Sequence, residues 1–447
     1  MRIDKTKLPP GPKTRNPLGQ LNEFRKDSIA FLTRIAKEYG DIVQFKVGPI
    51  RVILVNHPDY IKEVMSTQHA NFIKGRPLEM TKKLFGEGLL TSEGDFHKRQ
   101  SRIIQPAFHR KMIESYSHAM TDCTTKMMES WEEGMQLDFR EEMIKVSMDM
   151  AGRNLFNVDI KKEAPEIIEA LEKISGLFER ITMPFSEYLI KLPLPSNIRF
   201  FRARARLNET IYRMIDNRRK NPVDNGDLLS LLLIAQEEDP GGMTDQQIRD
   251  EAITLFLTAF DTTSNALTWT WYLLSQNPEA EAKLHEELDQ VLQGRKPTVA
   301  DVEQLKYTRM VFGESMRFYP PSYVIARQAL NDFSIDKYTI PGGSLILTSP
   351  YLIHHDERFH KNHGQFDPET WGQHQLEPDS KYEYFPFGAG PRSCIGQNFA
   401  WMEGIMLLAS ISQKWKVKHV PDHPVEFLQL INLRPKHGML MELERRE

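Results

Sequence analysis

The cysteine at position 394 lies in a stretch suited to chemistry, FGAGPRSCIG, and is one of only two cysteines in the chain. A thiolate is both a nucleophile and a soft metal ligand, and nearby cations or helix N-terminal amides favour its formation. Arg392 supplies positive charge, the glycines permit tight turns, and an apolar stretch typical of a helix begins at the cysteine. These features predict a thiolate at a helix N-terminus.

Several uses of this thiol compete. A zinc site needs several Cys or His ligands at short spacing, and none flanks Cys394. A cysteine protease needs a positioned histidine, which the local sequence neither indicates nor excludes. A buried inert thiol is a further reading. The open backbone and the nearby cation favour one large cofactor beside the sulfur, and an iron porphyrin held by a single axial thiolate fits that description.

A second candidate group is Asp261, Thr262 and Thr263, which lies within a proline-free stretch from Thr244 to Ser275. As a helix, that stretch would be about 45 Å long, and its middle is apolar on nearly all sides. A buried carboxylate is costly unless it is paired or functional. Two readings are open: Asp261 forms an ion pair while the threonines bond back to the preceding turn, or the group serves catalysis.

The elements that must position these residues are mostly helical. Helical periodicity dominates from about Arg110 onward, whereas β-branched runs around a Gly-Pro turn predict a hairpin in DIVQFKVGPIRVILV. The sequence shows no internal repeat, low-complexity tract or separating linker. We predict a single domain over residues 1–447 that is mainly α, with a minor β component near the N-terminus and no fused reductase.

Composition and charge narrow the class of protein. The chain has 447 residues, 40% of them hydrophobic, and a formal net charge of -3 at pH 7. It can bury a large core, and it has no basic footprint for nucleic acid. Its two cysteines, Cys123 and Cys394, permit at most one disulfide, which favours a reducing cytoplasm. Because no long apolar run is present, we expect no signal peptide, no membrane span and a cytoplasmic location.

The Cys394 stretch resembles the haem-binding loop of the cytochrome P-450 family, in which Phe, Gly, a basic residue, Cys and Gly recur. Other stretches resemble the family in the same order and together span most of the chain. They are GDFHKRQSRIIQPAF from Gly94, TAFDTT from Thr258, GESMRFYPP from Gly313, FDPETW from Phe366 and the tail LRPKHGM from Leu433. The resemblance implies the cytochrome P-450 fold and a haem b cofactor (iron protoporphyrin IX).

The resemblance also implies roles around the haem. Cys394 would be the proximal iron ligand. The other residues that would contact the haem are His97, Ala259, Arg327, Phe387, Gly388, Arg392 and Gly396. Arg327 and Arg392 would pair with the propionates, because a guanidinium stays charged and binds oxygens bidentately. Ser101 stands where the family often has a further Arg.

TAFDTT matches the oxygen-activating helix of the family. Ala259 would leave room above the iron, and Asp261 and Thr262 would deliver protons through water. The pocket residues that the resemblance implies are Leu90, Val324 and Ile325, each of which would equally suit an ordinary core. Their apolar side chains predict a lipophilic substrate that is contacted mainly by shape.

Glu314 and Arg317 match a structural pair of the family. At positions i and i+3 they would meet on one helix face. In the family this pair is buried and bonded to a third residue, usually Arg, from the segment that here reads FDPETW. Thr370 occupies that third position. Either a neighbouring group completes the network or the network is smaller.

The resemblance implies a monooxygenase that inserts one atom of dioxygen into a lipophilic substrate. We expect a monomer that receives electrons from a separate ferredoxin, flavodoxin or flavin reductase. The loop and the tail resemble the subgroup of microsomal enzymes and bacterial fatty-acid hydroxylases, which predicts a fatty acid or related lipid as substrate. The alternatives are a peroxide-driven peroxygenase or hydroperoxide-rearranging enzyme and a non-catalytic haem-binding sensor. The Asp261 and Thr262 pair favours the monooxygenase.

Overall fold

The computed structural model of the protein describes residues 8–159, 190, 192–221, 226–238, 243–372 and 381–446. Helices dominate these residues, and short strands form small sheets, so the structure is mainly α with a minor β component. The strands come from both ends of the chain and not from the N-terminal region alone. The sheets therefore join distant parts of the sequence.

The helices enclose the core and carry most of the candidate residues. In chain order, the α-helices are α1 (Leu21–Lys26), α2 (Ser28–Tyr39), α3 (Pro58–Lys62), α4 (Arg76–Phe85), α5 (Gly94–Ile104), α6 (Arg110–Met128), α7 (Phe139–Phe156), α8 (Pro195–Lys220), α9 (Leu228–Glu238), α10 (Asp245–Gln276), α11 (Pro278–Leu292), α12 (Lys306–Phe318), α13 (Pro350–His354) and α14 (Gln397–Ser412).

The strands are short. In chain order, they are β1 (Ile42–Val47), β2 (Ile50–Val55), β3 (Phe72–Ile73), β4 (Gln136–Asp138), β5 (Ile325–Ala329), β6 (Phe333–Ile335), β7 (Tyr338–Ile340), β8 (Leu345–Thr348), β9 (Trp415–His419), β10 (Phe427–Gln429), β11 (Leu433–Pro435) and β12 (Leu440–Arg445).

The helix α10 crosses the core and matches the predicted stretch to within one residue at each end. A capping box begins it: the Thr244 side chain accepts a hydrogen bond from the Gln247 backbone N–H, and the Gln247 side chain reaches back to the Thr244 backbone. Most of its residues are buried, including Trp269 and Trp271. It packs against α7, α12 and α14, so it can place central residues beside several other elements.

The largest sheet has the strand order β1-β2-β8-β5-β3. Its β1–β2 hairpin confirms the predicted one, with Ile42 paired to Val55 and Val47 paired to Ile50. A glycine with a φ of +58°, Gly48, lies in the connecting turn. The neighbouring strand β5 carries Arg327, so this sheet holds one of the predicted haem contacts in place.

Candidate active site

The Cys394 loop is built from tight turns that require glycine. The Cys394 backbone N–H donates to the Phe387 carbonyl oxygen at 2.9 Å. Gly388 and Gly390 both have a φ of +71°, which side-chain-bearing residues rarely adopt. A Cβ on Gly390 would also lie 2.1 Å from the carbonyl oxygen of Met65. The glycines of the motif therefore set the path of the chain before the cysteine.

The Cys394 sulfur is reachable and also surrounded by protein. The side chain is exposed, yet enough atoms surround it for desolvation to raise the pKa of its thiol. Both observations fit a sulfur that faces an opening inside the protein. The Gly396 backbone amide opposes the shift by bonding the sulfur, and α14 begins at the next residue. The predicted position at a helix N-terminus is confirmed.

The predicted propionate-binding cations lie close together. Arg392 bonds the Ser92 carbonyl oxygen at 2.9 Å and forms an ion pair with Glu93. Burial, reinforced by the charge of Arg392, lowers the pKa of His97 to about 3 and that of Arg327 to about 10. Within the described ranges, the Arg327 guanidinium forms one hydrogen bond, to the Ala326 carbonyl oxygen at 2.9 Å, and no ion pair.

These residues fit a haem. A half-buried guanidinium beside other cations is costly unless an anion compensates it. The two carboxylates of an iron protoporphyrin would supply that charge to Arg327 and its neighbours. The exposed Cys394 sulfur would supply the axial ligand. Both requirements of the cofactor, a reachable cysteine sulfur and a cationic corner for its carboxylates, are met by these residues.

Lys74 belongs to the same corner, although its sequence context does not predict this. Its Nζ donates to the carbonyl oxygens of Leu89 at 2.8 Å and Leu90 at 2.5 Å. Burial, with a contribution from Arg392, lowers the pKa of Lys74 to about 7. Ser101, at the position where the family often has a further arginine, is a half-buried residue of α5. No sequence motif distinguishes Lys74 from a surface lysine.

His97 lies on α5, where its Nδ1 is 3.1 Å from the Ser92 hydroxyl. The predicted pocket residues are all half-buried. The Leu90 carbonyl oxygen accepts a hydrogen bond from Lys74. Val324 packs against a buried cluster that includes side chains of β1 and β2. Ile325 lies near the Cys394 loop, since its Cδ1 is 3.7 Å from where a Cβ on Gly388 would be.

The middle of α10 shows the contacts expected of the structural reading of Asp261 and Thr262, and their catalytic role stays a prediction. The Asp261 carboxylate accepts hydrogen bonds from Arg140 at 3.2 Å and from Asn432 at 2.6 Å. The Thr262 hydroxyl bonds back to the Thr258 carbonyl oxygen at 2.8 Å. The ion pair and the back-bonded threonine of the structural reading are therefore present. Because Ala259, Asp261 and Thr262 are also half-buried, the face that carries them remains reachable.

The helix that follows the Cys394 loop packs against the helix that carries Asp261 and Thr262. The helix α10 packs against α14, whose first residue follows the Cys394 loop. Ala259 and Phe387 pack against the same hydrophobic cluster. The cysteine loop and the helix that carries the candidate proton-delivery residues therefore border the same core.

The Glu314 and Arg317 pair is buried and fully bonded. Two hydrogen bonds of 2.7 and 2.8 Å join the side chains, and the Arg317 guanidinium also donates to three backbone carbonyl oxygens. The third residue is Trp371 and not Thr370: its indole N–H donates to Glu314 at 2.8 Å. Thr370 bonds the Asp367 carbonyl oxygen at the surface. A short 3-10 turn, Pro368–Trp371, directs the larger side chain inward.

Two further observations bear on the alternatives. Over the described ranges, no group of three or more His, Cys, Asp and Glu side chains is arranged to hold a metal ion. Among the helices that the structure describes, none is long and apolar enough to cross a membrane.

Comparison with known proteins identifies the family. Residues 9–441 match the model of a family described as "Cytochrome P450". The chain is 36% identical to cyclooctatin synthase over 86% of this chain and 84% of the relative, and 36% identical to cyclooctat-9-en-7-ol 5-monooxygenase over 90% and 88%, both from Streptomyces melanosporofaciens. It is 30% identical to pentalenene oxygenase of Streptomyces avermitilis over 96% and 95%. The chain therefore belongs to the cytochrome P450 family and is a P450 monooxygenase.

Proposed function

We propose that the protein is a haem-thiolate monooxygenase that hydroxylates a terpenoid. The exposed, desolvated Cys394 sulfur beside the cations carries the cofactor part of the proposal. The relatives support the substrate class, because cyclooctat-9-en-7-ol and pentalenene, named in two of them, are terpenoids. The comparisons give no support to a fatty acid as substrate, which the resemblance of the Cys394 loop and of the tail from Leu433 predicted.

The side chains divide the work between holding the cofactor and moving protons. Haem b, when bound, supplies the oxidising chemistry. Cys394 would hold its iron, and Arg327, Arg392 and His97 would bind its carboxylates. Asp261 and Thr262 would carry protons from solvent toward the distal side. Leu90, Val324 and Ile325 would hold an apolar substrate by shape.

The reaction consumes one dioxygen, two electrons and two protons for each hydroxyl group formed, and it releases one water. We infer that the electrons come from a separate ferredoxin, flavodoxin or flavin reductase. The assignment of residues 1–447 to one haem domain stays a prediction, as does the monomeric state.

Two experiments test the proposal. Cys394→His should abolish the thiolate-type absorption of the ferrous carbonyl complex, since an imidazole then faces the iron. If that variant keeps the thiolate-type spectrum, Cys394 is not the ligand. For the substrate, a panel of cyclic terpenes, terpene alcohols and fatty acids should be screened for a low-spin to high-spin change of the haem. A spectral change and hydroxylated product with fatty acids alone would contradict the terpenoid proposal.

A further inference from the structure

The tip of the C-terminal hairpin contacts Asp261, the candidate proton donor on α10. The strands β10 and β11 form this hairpin, and residues 430–432 connect them. Asn432 in the connection donates a hydrogen bond of 2.6 Å from Nδ2 to Oδ2 of Asp261. These two residues are separated by 171 positions, so only the fold brings them together.

The strand pair next to the tip, Gln429 and Leu433, is held by other parts of the fold, which fixes where the tip lies. The Leu433 backbone N–H donates to the Pro321 carbonyl oxygen at 2.8 Å, and the Trp269 indole N–H donates to the Leu433 carbonyl oxygen at 3.1 Å. On the other strand, the Gln429 side chain accepts a hydrogen bond of 2.7 Å from the Ser28 hydroxyl. Asn432 is therefore presented to α10 by an anchored backbone.

Two donors from different elements hold the Asp261 carboxylate. Arg140 of α7 bonds Oδ1 at 3.2 Å, and Asn432 of the hairpin bonds Oδ2 at the shorter distance of 2.6 Å. Hydrogen bonds to a carboxylate are among the stronger ones in proteins. Since each oxygen has its own donor, the carboxylate cannot rotate without losing a bond. Removal of the Asn432 amide would leave Arg140 alone to orient it.

The residue before Asn432 is apolar and reachable. Ile431 is 42% exposed, although the strands on either side of the tip are anchored. The Asp261 side chain is itself 27% exposed, so solvent can replace a proton that it gives away. Ile431 therefore offers a comparison site at the same tip that donates no hydrogen bond to Asp261.

We propose that Asn432 is a positioning residue that holds Asp261 in the orientation from which it passes protons to Thr262. Each proton that leaves the Asp261 carboxyl is replaced from solvent, so the residue returns to its starting state. This inference rests on the proposed function, because it concerns proton delivery during substrate oxidation.

A double-mutant cycle tests whether Asn432 acts through Asp261. Asn432→Leu removes the amide at nearly constant size. The product formed per nicotinamide consumed should fall about threefold to tenfold, a part of what a positioned acid commonly contributes. The substrate dissociation constant, measured from the spin-state change, should stay within about twofold. In an Asp261→Asn background the same substitution should have no further effect, since the group through which it acts is gone.

Two variants control the cycle. Ile431→Ala changes the exposed side chain next to Asn432 and removes no polar atom, so coupling should equal that of the wild type. Asn432→Gln keeps an amide donor and should recover part of the coupling lost in Asn432→Leu. Unchanged coupling in Asn432→Leu, or an equal loss in the Asp261→Asn background, would overturn the proposal. Loss of haem in Asn432→Leu would show a merely structural role and would overturn it as well.

Amide hydrogen exchange tests the contact without turnover. Exchange at residues 430–433 of the haem-loaded protein should rise about tenfold in both Asn432→Leu and Asp261→Leu, because each breaks the bond that holds the tip. If exchange at the tip does not change, Asn432 and Asp261 are not coupled. Failure of every terpenoid in the panel would refute the substrate proposal alone, since the exchange experiment and the cycle with any accepted compound still decide the role of Asn432.

Discussion

Glu314 and Asp261 are acidic residues of helices, and their surroundings differ. Glu314 is fully buried. One of its oxygens accepts from Arg317 and the Asp367 backbone N–H, and the other accepts from Arg317 and Trp371. Asp261 is 27% exposed at its side chain and has one donor for each oxygen. The first carboxylate is saturated with donors, whereas the second keeps access to solvent.

The difference separates a folding role from a chemical one. A buried charge with every lone pair occupied cannot exchange protons without an uncompensated loss of bonds. The Glu314 network therefore serves to hold α12 against the backbone around His354 and Gln365. The part-exposed Asp261 carboxylate, next to the reachable Thr262, is open to solvent, as the proposed proton delivery requires. Substitutions in the two regions should therefore differ in what they damage.

The largest effect is expected for Arg317→Ala. The substitution would leave the Glu314 charge buried with half of its bonds missing, and loss of one partner of such a pair costs about 3 to 5 kcal/mol. That is a large part of the stability of about 5 to 15 kcal/mol typical of a protein. We expect a low yield of protein without haem. Lys306→Ala on the exposed face of the same helix should yield normal haem protein, and a normal yield of active Arg317→Ala would contradict the folding role.

The second effect is on chemistry and not on folding. Thr262→Ala should retain haem and the substrate-induced spin change, because neither requires the hydroxyl. Product per nicotinamide consumed should fall about tenfold to a thousandfold, with more peroxide released, since positioned acid-base groups contribute about 10²- to 10⁴-fold. Turnover driven by added hydrogen peroxide should suffer less.

Thr270→Ala is the matched control for this substitution. Its hydroxyl also bonds back within α10, to the Ala266 carbonyl oxygen at 2.8 Å, but the side chain is fully buried. Coupling in Thr270→Ala should equal that of the wild type. If Thr262→Ala kept wild-type coupling too, proton delivery would have to be assigned to the substrate or to ordered water.

Trp371→Phe sharpens the comparison because it removes one donor from Glu314 and keeps the pair with Arg317. A buried acceptor that loses a partner costs about 1 to 3 kcal/mol. The free energy of unfolding in urea should fall by that amount while activity per haem stays unchanged. Thr370→Ala, next to it, should change the free energy by less than about 1 kcal/mol, since that side chain is exposed. Equal losses of unfolding free energy in both variants would mean that Thr370 also belongs to the Glu314 network.

Local patterns in the sequence predict some of these elements well. The bounds of α10 follow from Thr244 and Pro278, because capping and helix-breaking act over a few residues. The β1–β2 hairpin and the helix after Cys394 follow from patterns just as local. The chemistry expected of Cys394 likewise depends on its immediate neighbours.

Contacts across the fold are beyond such patterns. Arg140 and Asn432 meet Asp261 from 121 and 171 positions away, and nothing in their own segments marks them. Motif matching points to Thr370, yet the turn around it directs the neighbouring Trp371 inward. Lys74 joins the cations only because the chain folds back on Leu89. These partners depend on tertiary packing, which no single segment specifies.

Glu403 gives the smallest predicted effect, and it extends the comparison to a third carboxyl. It is buried in α14, where desolvation raises its pKa to about 8 against the opposing effect of the Ser147 and Thr263 hydroxyls. In the unfolded chain this carboxyl has the ordinary glutamate pKa of 4.5, so between about pH 4.5 and 8 the unfolded state binds fewer protons than the folded state. Stability should therefore fall as the pH rises through that window.

Glu403→Gln tests this reading because glutamine stays neutral at every pH. The wild type should lose about 1 kcal/mol of unfolding free energy relative to the variant for each pH unit across the middle of the window. Urea titrations of both proteins at pH 6.5 and 7.5 measure that difference directly. Parallel pH dependences would mean that Glu403 ionises in the folded state and is held by its neighbours as an anion. In that event it would belong with the saturated carboxylates, and only Asp261 would remain as the exception.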